Sequence, residues 1–379
     1  MTLNVDLEGA EVLWPDGLGP GRLSISEGII STSAVGRSVD LSGYRVLPGI
    51  VDVHGDGFER HVAARRGAMK QVDEGLRAAA AELAANGITT GVLAQFMSWE
   101  GGLRSPEFAA QVLSALRDVR ADLVTDVRGQ LRLETHLTDV FDEVPMQVAE
   151  WGVGYVVFND HLPHDKLAAG RKPPRLNGQA LRARRSPELH LEIMQDLHAR
   201  DPSKPLAKLA AQLDMAGVRL GSHDDALKTE REKWRSLGAV VCEFPETLEA
   251  AEAARAGGDH VVMGAPNIVR GGSHNGNASA IDLVAMGLCD ALASDYHYPS
   301  LRRAALFLAD AQVCDFAAAW GLVSDGPAKV LGLEDRGQLQ AGQRADLVIL
   351  DDTRRIAATI SGGQVSFMQG AVSERFFGC

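Results

Sequence analysis

Leu47-Pro48-Gly49-Ile50-Val51-Asp52-Val53-His54-Gly55-Asp56 is an apolar, β-rich run that ends in an imidazole and, two residues later, a carboxylate. Residues i and i+2 of a strand point to the same side. His54 and Asp56 therefore converge at a strand tip, a geometry that suits a divalent metal such as zinc or manganese. Taken alone, the same residues are also explained by a strand followed by a polar turn, so the rest of the chain has to decide.

Downstream of this run, strands and helices alternate. Eight strands are predicted, at Val46–Val53, Thr89–Phe96, Leu131–His136, Val153–Asp160, Val218–His223, Ala239–Phe244, His260–Ala265 and Ala291–Asp295. Helical patterns separate most of them. Asp73–Ala85 is alanine-rich and stops at Asn86-Gly87, and Pro106–Leu123 has Ser105 as its N-cap. Eight such units over the middle of the chain predict an α/β fold, a (β/α)8 TIM-like barrel. A doubly wound open sheet fits less well, because no G-x-G-x-x-G follows the first strand. Residues 1–45 and 341–379 read as short strands between glycine-rich turns. They predict a small β-sandwich domain formed by both termini, with the barrel over 46–340. Residues 161–217 interrupt the alternation and are expected to form a lid or insertion.

Composition narrows the class of function. No apolar run reaches the roughly 20 residues of a membrane span, and Met1–Leu7 lacks the basic and apolar parts of a signal peptide. The four cysteines, Cys242, Cys289, Cys314 and Cys379, show no C-x-x-C spacing, which argues against structural zinc and a disulfide framework and makes a reducing cytoplasm the expected location. A net charge of −12 argues against a nucleic-acid partner, and any anionic substrate needs a local basic patch.

The polar residues gather at the predicted strand tips: His54 and Asp56 on the first, Glu134 and His136 on the third, Asp160 and His161 on the fourth, His223 on the fifth, Asp295 on the eighth. Each has an ordinary explanation as a turn former or helix cap. Together, on one mouth of a barrel, where active sites form, they predict a site for one or two divalent metals, with His54, Asp56, Glu134, His161 and His223 as ligands. Zinc is the first expectation, manganese or nickel the next. A metal-bound water ionises near neutrality; Asp295 is the candidate catalytic base for its proton. Glu134 could bridge two metals.

Pro48-Gly49 with Asp52-x-His54, a late histidine, Ser294-Asp295, and the closing Pro327-Ala328-Lys329-Val330-Leu331-Gly332 and Gly342-Gln343-Arg344-Ala345-Asp346-Leu347 resemble the amidohydrolase superfamily. Most members carry His-x-His on the first strand and a carboxylated lysine as bridge; this chain has His54-Gly55-Asp56, and Glu134 where a bridge can sit. Further blocks are similar to one branch, the triphosphate diphosphatases of phosphonate metabolism: Asp160-His161, Ser222-His223-Asp224-Asp225, Glu243-Phe244-Pro245 and, above all, Gly264-Ala265-Pro266-Asn267-Ile268-Val269-Arg270-Gly271-Gly272-Ser273-His274-Asn275-Gly276-Asn277. The resemblance implies metal-dependent hydrolysis of a ribose 1-methylphosphonate 5-triphosphate-like substrate to pyrophosphate and the 5-phosphate. Two blocks depart from the branch: Gly55-Asp56-Gly57 replaces the usual Thr-Asp-Asn, and Leu162-Pro163-His164-Asp165 replaces Thr-Pro-Gly-Gln.

An anionic substrate is also suggested by the basic run Lys166, Arg171, Lys172, Arg175, Arg182, Arg184 and Arg185 in an otherwise acidic chain. Arg270 among its glycines is a candidate phosphate cradle. Asn267, His274 and Arg60 complete the candidate substrate contacts, although a salt bridge accounts equally well for Arg60. The partner expected is a small phosphorylated sugar; a homodimer stays open. Two rival readings are kept: an amidohydrolase or deaminase acting on the C–N bond of a cyclic amide, N-acyl group or amino-purine, and a metal-dependent binding protein without turnover.

Overall fold

The computed structural model describes residues 2–63, 71–271 and 278–378. Eight parallel strands form the central sheet: Ile50–Gly55, Ile88–Met97, Asp126–Glu134, Tyr155–Asn159, Arg219–His223, Ala239–Glu243, His260–Gly264 and Ala291–Ala293. Each pairs with its neighbour in sequence. The sheet closes on itself where Gly55 bridges Asp295: Asp56 N–H donates to Asp295 O at 2.8 Å, and Asp295 N–H donates to His54 O at 3.0 Å. Below this closure the buried Asp52 carboxylate accepts from Ser294 Oγ at 2.5 Å and from Ser294 N at 2.9 Å. The chain is thus a (β/α)8 barrel, and the residues that close it are the candidate site residues.

Helices cover the outside of the barrel, so its strands are buried on both faces. Pro106–Val119 shows how the sequence specifies such a helix. Ser105 Oγ accepts from Phe108 N at 3.2 Å, proline occupies the first turn, and Ala109, Val112, Leu113 and Leu116 form the apolar face that packs inward.

The first predicted strand, 46–53, is two strands. Arg45–Pro48 pairs antiparallel with Leu347–Leu350 and parallel with Glu11–Trp14, in a six-stranded sheet of the terminal sandwich. Ile50–Gly55 then enters the barrel. The break falls at Gly49. A Cβ there would lie 2.9 Å from Thr89 Cβ and closer still to its hydroxyl oxygen, so the chain crosses between sheets only without a side chain. Gly49→Ala is therefore expected to destabilise the fold by about 1–3 kcal/mol, read as a lower midpoint in chemical denaturation. An unchanged midpoint would show slack at the crossing.

The second terminal sheet has four strands, Ile29–Ser31, Leu23–Ser26, Val5–Glu8 and Ser38–Asp40. Val5, Leu7, Leu23, Ile25, Val46, Leu347, Ile349 and Ile360 fill the space between the two sheets. Residues 161–217 contain four helices. Ser203–Met215 buries Leu206, Leu209, Ala210 and Leu213 on the barrel. The other three, His164–Ala168, Leu176–Arg182 and Pro187–His198, stand over the mouth on a small core of their own, built on Trp99, Leu162, Leu167, Leu176, Met194 and Leu197. Among the described residues no helix is long and apolar enough to cross a membrane.

Candidate metal-binding active site

At the C-terminal mouth of the barrel, three residues that are not glycine leave their strands with left-handed backbone: Asp224 (φ 61°), Phe244 (φ 55°) and Asp295 (φ 55°). Such a conformation is unfavourable for a side chain as bulky as Phe and tends to persist where the surroundings enforce it, often at functional sites. Here it follows strands five, six and eight. It turns Asp295 and Asp224 onto the wall of a cleft of about 600 Å³, and it sets the Phe244 ring edge-on to His54 and His223, with centroids 5.1 and 4.9 Å away.

Glu243, fully buried at the end of strand six, organises the floor. One carboxylate oxygen accepts from His54 Nδ1 at 2.8 Å and His223 Nδ1 at 3.2 Å; the other accepts from Tyr155 Oη at 2.7 Å and Gln130 Nε2 at 2.8 Å. Burial works against the ionised form, but the two imidazoles outweigh it and hold this carboxyl well below the usual range. An ionised Glu243 fixes the tautomer of both rings: each carries its proton on Nδ1 and presents a lone pair at Nε2. The two rings stack with centroids 5.3 Å apart. Burial, and next the Arg132 charge, push His223 down to about 4. A neutral imidazole whose far nitrogen is bound to a carboxylate is the arrangement of a metal ligand. With Glu243 taken up by both Nδ1 atoms, the donors left for a divalent ion are Nε2 of His54 and Nε2 of His223, nitrogen ligands of the kind zinc takes. Both lone pairs now meet the buried Arg132 guanidinium: Nη2 is 2.8 Å from His223 Nε2 and Nη1 is 3.4 Å from His54 Nε2. Arg132 also donates to Asn159 Oδ1 at 3.2 Å and stacks on Phe96. Arg132 and a metal ion therefore compete for the same two nitrogens.

A second group sits on strands three and four. Glu134 accepts from the ring nitrogen Nδ1 of His161, from His161 N at 3.2 Å and from Trp99 Nε1 at 3.3 Å. Burial opposes a charge on His161, yet Glu134 prevails and raises its pKa. With Glu100 these residues form another set of donors within 4.8 Å.

Four of the five predicted metal ligands thus fall into two groups. His54 and His223 share Glu243, while Glu134 and His161 share each other. Asp56 belongs to neither group and lines the cleft beside Asp295. Burial first, and then the Asp56 charge, push Asp295 up to about 6. Of the predicted substrate contacts, Asn267 lines the cleft. Arg270 is exposed, with its guanidinium 4.9 Å from the Tyr296 ring centre. Arg60 does not line it: its guanidinium pairs with Glu82 and lies over Tyr298. His274 lies outside the described residues. From the basic run, Arg175 and Arg182 reach the cleft. Arg185 donates instead to Trp99 O at 2.9 Å, and Arg171 and Lys172 line a separate pocket.

Glu243, Arg132, Asn159 and Glu100 are site residues that the strand-tip argument does not select. A signal for Arg132 exists: Gln130, Arg132 and Glu134 are polar at period two in an otherwise apolar stretch, and all three side chains meet site residues.

The chain is 33% identical over 345 residues to the α-D-ribose 1-methylphosphonate 5-triphosphate diphosphatase of Escherichia coli (strain K12), covering 87% of this chain and 90% of that protein. The chain belongs to the amidohydrolase superfamily. A model of the amidohydrolase family matches residues 282–367. Two solved structures share the fold at low identity. N-acetylglucosamine-6-phosphate deacetylase from Pasteurella multocida has a TM-score of 0.64 at 10% identity, over 96% of this chain and 99% of that one. The β-aspartyl dipeptidase of Fervidobacterium islandicum AW-1 has a TM-score of 0.64 at 14% identity, over 97% and 98%. Superfamily membership, together with the donor groups of the cleft, makes the chain a metal-dependent hydrolase.

Proposed function

We propose that the chain hydrolyses a phosphorylated sugar of the ribose 1-methylphosphonate 5-triphosphate type, releasing pyrophosphate and leaving the 5-phosphate. One observation carries this reading. In a chain of net charge −12, Arg104, Arg132, Arg175 and Arg182 line the same cleft as His161, His223 and Asp295. Neither Arg175 nor Arg182 has an acidic partner among the described residues, so both are available to phosphate oxygens. The curated relative, whose name describes this activity, supports the choice of substrate.

His54 and His223, through Nε2, would hold one divalent metal, and Glu134 with His161 a second, zinc being the first candidate. A metal bound there supplies a water ionised near neutrality. The remaining work falls to the protein. Glu243 fixes the imidazoles. Arg175 and Arg182, on the insertion, bind the outer phosphates, and Asn267 lines the same cleft. Asp295 takes the proton of the attacking water and returns it to the departing pyrophosphate as the α–β anhydride bond breaks. A carboxyl brought toward neutrality by burial suits both halves of that transfer.

The test uses metal-loaded enzyme with ribosyl and nucleoside triphosphates on one side and a panel of cyclic amides, N-acyl sugars and amino-purines on the other. Pyrophosphate from the triphosphates, with no ammonia or free amine from the panel, is expected. Ammonia or amine release without pyrophosphate would replace this reading with C–N bond hydrolysis.

A further inference from the structure

We propose that His136, Asp160 and His164, steadied by His198, form a separate zinc site that ties the helical insertion to the rim of the barrel. His136 lies two residues past the third barrel strand, and Asp160 directly follows the fourth. His164 opens the first helix of the insertion and His198 ends the third. The ligand atoms of His136, Asp160 and His164 lie within 4.8 Å of one another. His164 Nε2 is 3.0 Å from Asp160 Oδ2, and His136 Nδ1 is 3.6 Å from the same oxygen. Ligands about 2.0–2.1 Å from a tetrahedral zinc ion stand roughly 3.3–3.4 Å apart, a value between those two distances.

Three features favour an ion over a plain hydrogen-bonded cluster. Asp160 is bordered by imidazoles and by the Leu162 amide, which donates at 3.2 Å; no Lys or Arg of the basic insertion pairs with it. The far nitrogen of His164, Nδ1, is 2.7 Å from His198 Nδ1, which fixes the ring with Nε2 toward Asp160, as an outer partner does for a metal-bound histidine. Asp160 and His164, though not His136, also line a cavity of about 270 Å³ that extends to His161 and His223, so water can reach their side of the cluster as a fourth ligand. Two ligands come from the barrel and one from the insertion, with its support. An ion here therefore fixes the insertion that carries Arg175 and Arg182 over the cleft. The departure from the branch pattern at Leu162–Asp165 is what places an imidazole at residue 164.

The test is zinc titration of metal-free protein under chelator competition, together with trypsin digestion of the insertion. Wild-type protein is expected to bind one zinc ion per chain more than His164→Ala. His198→Ala keeps that equivalent but binds it about 10–100-fold more weakly. Zinc is expected to slow tryptic cleavage within 166–185 about tenfold in wild type and to leave His164→Ala unchanged. Cobalt substituted for zinc should give tetrahedral absorption bands that fall by one site's intensity in His164→Ala. Equal zinc stoichiometry in wild type and His164→Ala, with unaltered affinity in His198→Ala, would overturn the site. Should His164→Ala fail to fold, the affinity loss in His198→Ala decides alone.

Discussion

Asp295→Asn is expected to keep the fold and the metal content and to lower turnover by on the order of 10³-fold. The substitution is mild for the structure. Barrel closure uses the backbone of residue 295, through its N–H to His54 O and its carbonyl from Asp56 N, and the side chain has no hydrogen-bond partner among the described residues. Asn adopts the left-handed backbone of this position as readily as Asp. What is lost is the ability to accept a proton, so kcat should fall while KM changes little. Metal analysis and denaturation of the same sample separate this from misfolding. Turnover near wild type would remove Asp295 from the reaction.

Glu243→Gln is expected to damage the site from beneath. The carboxylate accepts from four donors and is fully buried. An amide of the same shape must turn its NH₂ either toward the two imidazole N–H groups or toward Tyr155 and Gln130, and so it opposes donors with donors. Leaving such groups unsatisfied costs about 2–4 kcal/mol. The imidazoles also lose the partner that fixes their tautomer, so metal affinity should drop about 10–100-fold. Metal titration checks the second effect and denaturation the first. A stability loss with wild-type metal affinity would mean that Glu243 only fills the barrel floor.

The barrel and the terminal sandwich were legible because periodicity carries them: the alternation of strands and helices continues through most of the chain, and every barrel strand falls within a few residues of its predicted place. The split at Gly49 was hidden, since Leu47 to Val53 is one apolar run and the crossing is decided by the Thr89 side chain, far along the sequence. Strand-tip reasoning selected His54, Glu134, His161 and His223, and the structure brings these into two pairs. It passed over Glu243, because a lone acid closing Ala239-Val240-Val241-Cys242 shows nothing of the two imidazoles it meets. The basic run looked uniform in sequence. Local structure sorts it: Arg175 caps the start of helix Leu176–Arg182 and Arg182 is its last residue, and both, with Gln179 between them, line the cleft.

The most direct test of the two-group metal site is an anomalous-scattering crystal structure of the zinc-loaded protein with a bound pyrophosphate analogue. The expected map shows an ion on Nε2 of His54 and His223, with Arg132 displaced from both nitrogens, and further density at Glu134 and His161. A zinc-loaded crystal in which Arg132 still holds the two imidazoles and no anomalous peak lies in the cleft would contradict the account.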